Sequence, residues 1–149
     1  MRLINRMRLT FDALPENESF ARVALSAFTV SMNPTMDVLS DLRTAVSEAV
    51  TNAIVHAYKE EGGTIEMDAA IREDGVLLLS VCDQGCGIEN IDRAMQPFFT
   101  TQPEKERSGM GFSVMQSFMD RIEVASAVGK GTCVRMEKRL LPPDVPKEQ

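Results

Sequence analysis

Residues 48–56, Glu48-Ala-Val-Thr-Asn52-Ala-Ile-Val-His56, set a carboxylate and a carboxamide four positions apart in a run whose apolar members recur at helical spacing. Working outward, Leu39, Leu42, Val46, Val50, Ala53 and Ala57 make one broad apolar stripe when each residue advances by about 100°. Glu48 and Asn52 lie roughly 40° apart on that wheel, away from the centre of the stripe. The segment therefore predicts a helix that packs with one side and offers polar groups with another. Thr35 suits its N-cap, and Gly62-Gly63 ends it.

Upstream, Met7, Leu9 and Phe11 alternate with Arg8, Thr10 and Asp12, the pattern of a half-buried strand. From about Glu18, Phe20, Val23, Ala24, Ala27 and Phe28 mark a helix that stops before Asn33-Pro34, because proline disfavours helical geometry in its predecessor. Downstream, Ile65, Met67, Ala69 and Ile71 alternate, Asp74-Gly75 signals a hairpin, and Val76 to Val81 is almost continuously apolar. That second strand is expected at the centre of its sheet, delivering Asp83 at its end. A short helix follows around Ile91 to Met95, and residues 97–108 have the character of an irregular, lid-like loop. Phe112, Met115, Phe118, Met119 and Ile122 predict a third long helix. Val128-Gly129-Lys130-Gly131 then turns a closing hairpin whose last strand runs through Val134 and Met136. One domain over residues 1–141 with a disordered tail over 142–149 accounts for the 149 residues.

Composition narrows the function. A net charge of −6 disfavours a nucleic-acid binder, which needs a concentrated basic face, so no direct nucleic-acid partner is expected. No apolar run is long enough to span a membrane, and no signal-peptide core follows Arg2, Arg6 and Arg8; the reading is cytoplasmic. Three cysteines do not make a disulfide framework, and the expectation is reduced thiols in core or loop.

Two glycine-rich turns follow the helix, Asp83-Gln-Gly85-Cys-Gly87 and Ser108-Gly109-Met110-Gly111-Phe112. Magnesium takes oxygen ligands, keeps waters and uses few protein groups besides phosphates, so the Asn52 amide oxygen suits it. Glu48, one turn earlier, is placed to take a proton from a hydroxyl attacking a terminal phosphate. Asp83 is an acceptor-only carboxylate suited to an adenine amine, and residues 109–112 open a helix whose N–H groups attract anions. Taken singly, each feature equally describes a solvated acid, a helix-interior amide or an ordinary turn. No phosphate loop, dinucleotide fingerprint or protein-kinase motif set is present to compete with this reading.

In order, Glu48 to Asn52, Asp83 to Gly87, Gly109 to Gly111 and Gly129 to Thr132 resemble the N, G1, G2 and G3 boxes of the GHKL ATPase/kinase superfamily. NESFARV, TMDVLSDL, VSEAVTNAIVHAY and FFTTQPEKERSGMGF resemble the anti-sigma factor serine kinases, above all their sporulation branch. The resemblance implies a two-layer α/β sandwich of the GHKL (Bergerat) type, with a mixed, mostly antiparallel sheet and helices on one face. It implies ATP and Mg²⁺ as cofactors, Asn52 as the metal ligand, Glu48 as catalytic base and Asp83 as reader of adenine. Gly85 and Gly87 would shape the adenine pocket, Ser108, Gly109, Met110, Gly111 and Phe112 would cradle phosphates, and Thr132 would support the base side. Arg107 would neutralise phosphate charge.

The same resemblance implies a protein-serine kinase that sequesters a sigma factor and phosphorylates a small anti-anti-sigma protein, in a homodimer with a partner surface near Arg22. Three rivals stand beside it: a stress-response anti-sigma kinase, a nucleotide-binding inhibitor without phosphotransfer, and a detached histidine-kinase catalytic domain. The last requires a phosphoacceptor histidine helix, and the chain's one histidine, His56, does not supply it.

Overall fold

In the computed structural model of the chain, which describes residues 1–58, 62–95 and 111–141, five strands form one sheet in the order β1-β2-β3-β5-β4. The strands are β1 (Leu3–Asp12), β2 (Thr64–Arg72), β3 (Val76–Asp83), β4 (Arg121–Ala127) and β5 (Gly131–Arg139). All four pairings are antiparallel, so the predominance expected of antiparallel pairing is complete among the described residues. The helices are α1 (Glu16–Thr29), α2 (Met36–Asn52), α3 (Ile91–Ala94) and α4 (Gly111–Phe118).

Strand alternation decides which face is covered. Ile65, Met67, Ile71, Leu77, Val81 and Met136 are buried beneath Leu25 of α1, Leu42, Val46 and Val50 of α2, and Met115 of α4. The opposite face carries the intervening residues, with surface pairs such as Arg8 Nε to Asp68 Oδ1 at 2.7 Å. β3 lies at the centre of the sheet, with one face buried and the other half-covered.

Local chemistry sets the helix limits. The first helical segment runs on through a 3-10 turn at Val30–Met32 and stops at Asn33, which adopts left-handed geometry with φ 49° ahead of Pro34. The Thr35 hydroxyl accepts a hydrogen bond from Val38 N at 3.3 Å, the N-cap expected for α2. The α-helix ends at Asn52 and widens into a π turn over Ala53–Ala57, closed by Tyr58 N donating to Ala53 O at 3.1 Å. A uniform helix to the glycines was the expectation; the π turn adds one residue to the turn and changes the facing of everything after Asn52.

Two further expectations are corrected. Ile122 belongs to β4, because the chain leaves α4 at Phe118 and the apolar spacing switches from helical to alternating, with Ile122, Val124 and Ser126 on the inward side. Cys82 and Cys133, expected as reduced thiols, stand directly opposite each other on β3 and β5 with Cα atoms 4.1 Å apart and form a disulfide. Two odd-looking cysteines 51 residues apart in sequence become neighbours only through the sheet register. Cys86 is free and exposed.

Lys138 ties the helical layer together. Its ammonium donates to Phe118 O at 2.7 Å, at the C-terminal end of α4, and to Asp41 Oδ2 of α2 at 3.2 Å. Half-buried cations beside helix C-termini are favourable because the last carbonyls there lack helical partners. The contact holds α4 against α2, and with it Gly111 against the end of α2.

Candidate functional site

Ser108, Gly109 and Met110 of the glycine turn, expected at the phosphates, fall outside the described residues together with Arg107. The others, Gly85 excepted, divide between two concavities on either side of α2. Asn52, Asp83, Gly87, Gly111, Phe112 and Thr132 line one cavity of about 380 Å³ at the end of α2. Glu48 and Arg22 line the other, an open groove of about 900 Å³ between α1 and α2. His56 also lines the cavity.

Asn52 is the last α-helical residue, and α4 starts directly against it. A methyl group built on Gly111 would lie 3.0 Å from both Oδ1 and Nδ2 of Asn52. Any larger residue at 111 would push on the amide, so the glycine is what lets helix α4 begin beside the Asn52 side chain.

Asp83 ends β3 with its side chain half-buried. Its Oδ1 accepts from Gly85 N at 2.9 Å and from Thr132 N at 3.2 Å, among the described residues Oδ2 has no donor, and the residue lines the cavity. Burial pushes the carboxyl above its ordinary value, and the two backbone amides offset part of that rise. The result is an acceptor at the cavity wall with one oxygen fixed and the other available.

The turn after Asp83 is wedged between two neighbours. Gly85, which does not itself line the cavity, passes so close to the Ala57 carbonyl that a side chain there would collide with it. Gly87 adopts φ 78° and lies against the carbonyl of Ala127, so it is constrained both by its backbone angle and by its neighbour. Cys86 N donates to Ala57 O at 2.9 Å and Gly129 N donates to Cys86 O at 2.8 Å, pinning the turn between the π turn and the β4–β5 hairpin.

Two residues to which the sequence reading gave no role take part. The Tyr58 hydroxyl donates to Thr64 O at 2.6 Å and accepts from Gln84 N at 2.7 Å. Ser126 Oγ accepts from Ile88 N at 2.8 Å and lies 2.7 Å from Thr132 Oγ1. Tyr58 is the only tyrosine in the chain and directly follows the Asn52–Ala57 segment, which was the one sequence signal available. Ser126 carried none.

In the groove, Arg22 Nε lies 2.9 Å from Glu18 Oε1 and its NH2 donates to Ser19 Oγ at 2.8 Å, so its charge is held along α1. Met36, which lines the groove, is 77% exposed, and Phe20, Val23 and Val30 are exposed elsewhere on the first helical segment.

The donor set suits a single hard cation held mainly by a ligand's phosphates. Among the described residues no cluster of three or more His, Cys, Asp or Glu could hold a metal alone. A neutral amide oxygen at the cavity edge, with anions supplying the remaining charge, matches the sparse protein coordination that Mg²⁺ accepts. Among the described residues no helix is long and apolar enough to cross a membrane.

Residues 11–138 match the family model described as a histidine kinase-like ATPase domain. The chain is 52% identical over 136 residues to the anti-sigma F factor of Geobacillus thermodenitrificans, covering 91% of this chain and 93% of that protein. It is 53% identical over 137 residues to the anti-sigma F factor of Clostridium acetobutylicum, covering 92% and 95%. Among solved structures, the RsbU and RsbW domains of a Mycobacterium tuberculosis protein superpose with a TM-score of 0.68 at 20% identity, over 93% of this chain and 33% of that one. The histidine kinase domain of a blue-light activated kinase from Erythrobacter litoralis superposes at 0.52 and 22% identity, over 70% of this chain and 45% of that one. At those identities the two structures speak to the fold.

Proposed function

We propose a function from one premise: this chain belongs to the histidine kinase-like ATPase family and, within it, to the anti-sigma F factors. The protein is an ATP-dependent protein-serine kinase that also sequesters a sporulation sigma factor. Its substrate is a small anti-anti-sigma protein, phosphorylated on serine, and the active form is a homodimer in the cytoplasm.

The observation that carries this reading is the placement of Glu48 and Asn52 on one helix but at two different concavities. The cavity holds groups suited to a nucleotide, and the groove beside it is large and open, with Met36, Ser40 and Arg43 exposed along it and Glu48 half-buried in its wall, room that a protein acceptor requires. Glu48 stands on the acceptor side, one turn from the nucleotide side.

In this mechanism Asp83 accepts a hydrogen bond from the adenine amine through Oδ2, and Thr132 supports the same edge. Phosphates lie at the start of α4, at Gly111 and Phe112, with Ser108, Gly109, Met110 and Arg107 completing the cradle. Asn52 would hold Mg²⁺, which supplies charge neutralisation to the phosphates when bound. Glu48 accepts the proton of the substrate serine as its oxygen attacks the terminal phosphorus. The bond to the bridging oxygen breaks, and its electron pair leaves with ADP. Arg22 and the exposed apolar residues of α1 form the partner surface. A purely nucleotide-binding inhibitor would have no use for Glu48 at that position.

The decisive assay mixes the protein with Mg-ATP labelled at the terminal phosphate and an anti-anti-sigma protein from the same organism, with Glu48→Gln as control. Label on a serine of the partner, lost in the variant, is expected. Tight ATP binding without transfer would replace the kinase reading with that of a non-catalytic inhibitor.

A further inference from the structure

The loop between Asp83 and Ile88 carries the proposed adenine reader, yet several of its bonds come from elsewhere in the fold. Gly85 N is satisfied by Asp83 itself, and Cys86 by backbone groups of Ala57 and Gly129. The two ends of the loop are different. At its start, Gln84 N donates to the hydroxyl of Tyr58; at its finish, Ile88 N donates to the hydroxyl of Ser126.

The Tyr58 contact replaces a rung of the sheet. In the β2–β3 register Ile65 faces Asp83, so Thr64 and Gln84 would be the next pair. Both Thr64 O and Gln84 N instead meet the Tyr58 hydroxyl, which inserts between the strands and continues the ladder through a side chain. A methyl group on Gly63 would collide with the Tyr58 ring, so the glycine makes room for the ring to cross.

At the other end hydroxyl accounting fixes a direction. Ser126 Oγ lies 3.0 Å from Gly131 O, to which it can only donate; with its one proton given there, the 2.7 Å contact with Thr132 Oγ1 takes the threonine's proton. The remaining lone pairs of Thr132, a cavity-lining residue, then act only as acceptors. Ser126 thus holds the end of the loop and sets the polarity of Thr132 together.

We propose that Tyr58 and Ser126 are positioning residues for adenine recognition, clamping the two ends of loop 84–88 so that Asp83 Oδ2 and Thr132 Oγ1 present two aligned acceptors to the 6-amino group. The inference rests on the nucleotide reading of the cavity given above. Neither residue touches the nucleotide; each acts through Asp83 or Thr132.

The test compares affinity for Mg-ATP with affinity for the triphosphate of purine riboside, which lacks the 6-amino group, by calorimetry on the full chain. Tyr58→Phe and Ser126→Ala should each cut the preference for ATP about threefold or more, and the double variant further, while binding of the purine riboside nucleotide changes less than twofold. Amide exchange at residues 84–88 in nucleotide-free protein should rise about tenfold in either variant, with other protected amides unchanged. An intact preference, or equal weakening of both nucleotides with faster exchange throughout, would overturn the clamp. Failure of the unaltered protein to bind either nucleotide would instead strike the reading of the cavity, and the exchange measurement would still judge the clamp.

Discussion

The two sides of α2 are made differently. On the cavity side, recognition rests on close backbone approach: Gly85 beneath Ala57, Gly111 against the Asn52 amide, and a turn tied at nearly every amide. On the groove side, Arg22, Met36 and Arg43 line the walls between α1 and α2 with their side chains. A small ligand of fixed shape is read by a surface that cannot yield, whereas a protein partner is met by side chains that can adapt. One helix serves both because α1 packs on one side of it and α4 on the other.

That contrast can be broken by separating the two sides. The largest expected effect is Glu48→Gln, which should lower serine phosphorylation by about 10² to 10⁴-fold, the usual worth of a general base, with Mg-ATP affinity within about twofold. A comparable loss of ATP binding, read by calorimetry, would put Glu48 on the nucleotide side and remove the division. Next, Asp83→Asn should weaken ATP binding by about 10- to 100-fold, the cost of a charge-assisted hydrogen bond of roughly 1.5–3 kcal/mol. Affinity for the sigma factor measured without nucleotide should stay within about twofold in that variant.

A smaller effect is expected from Arg22→Ala, about tenfold in partner affinity if Arg22 anchors the interface, with the protein's own stability changed by less than about 0.5 kcal/mol. Titration with sigma factor and with nucleotide in parallel checks it. An ATP defect there would mean that the groove and cavity are one site.

The smallest effect concerns pH. Burial raises the Asp83 carboxyl above its ordinary value, so ionised Asp83 carries a penalty in the folded protein at neutral pH that is relieved as pH falls through the raised pKa. Adenine recognition has the opposite sign, since the acceptor is lost when the proton arrives. The preference for ATP over the purine riboside triphosphate should therefore shrink a few-fold as pH falls, starting above the range of an unburied aspartate, and Asp83→Asn should show no such change. Using the ratio cancels titration of the phosphates common to both nucleotides.

Much of this was legible in the sequence because it depends on short-range rules. Alternation at Met7, Leu9 and Phe11, the Asp74-Gly75 hairpin, the Thr35 cap and the stop before Pro34 each follow from a few consecutive residues, and each stands in the structure. The motif order from Glu48 to Thr132 carried the family, since glycines at spaced turns are demanded by backbone geometry and not by the surrounding core. Ile122 misled because its spacing from Phe118 satisfies a helix as well as the start of a strand.

What the tertiary structure alone decided is which distant residues meet. Sequence placed Glu48 and Asn52 on one helix, but only packing of α1 and α4 on either side of α2 sent them to different concavities. The Cys82–Cys133 pairing and the Tyr58 and Ser126 clamps likewise come from register between strands and from the π turn. Local sequence determines periodicity and turns because those interactions span three or four residues. Contacts across 26, 38 or 51 residues depend on how the elements stack, which is settled by burying one common core.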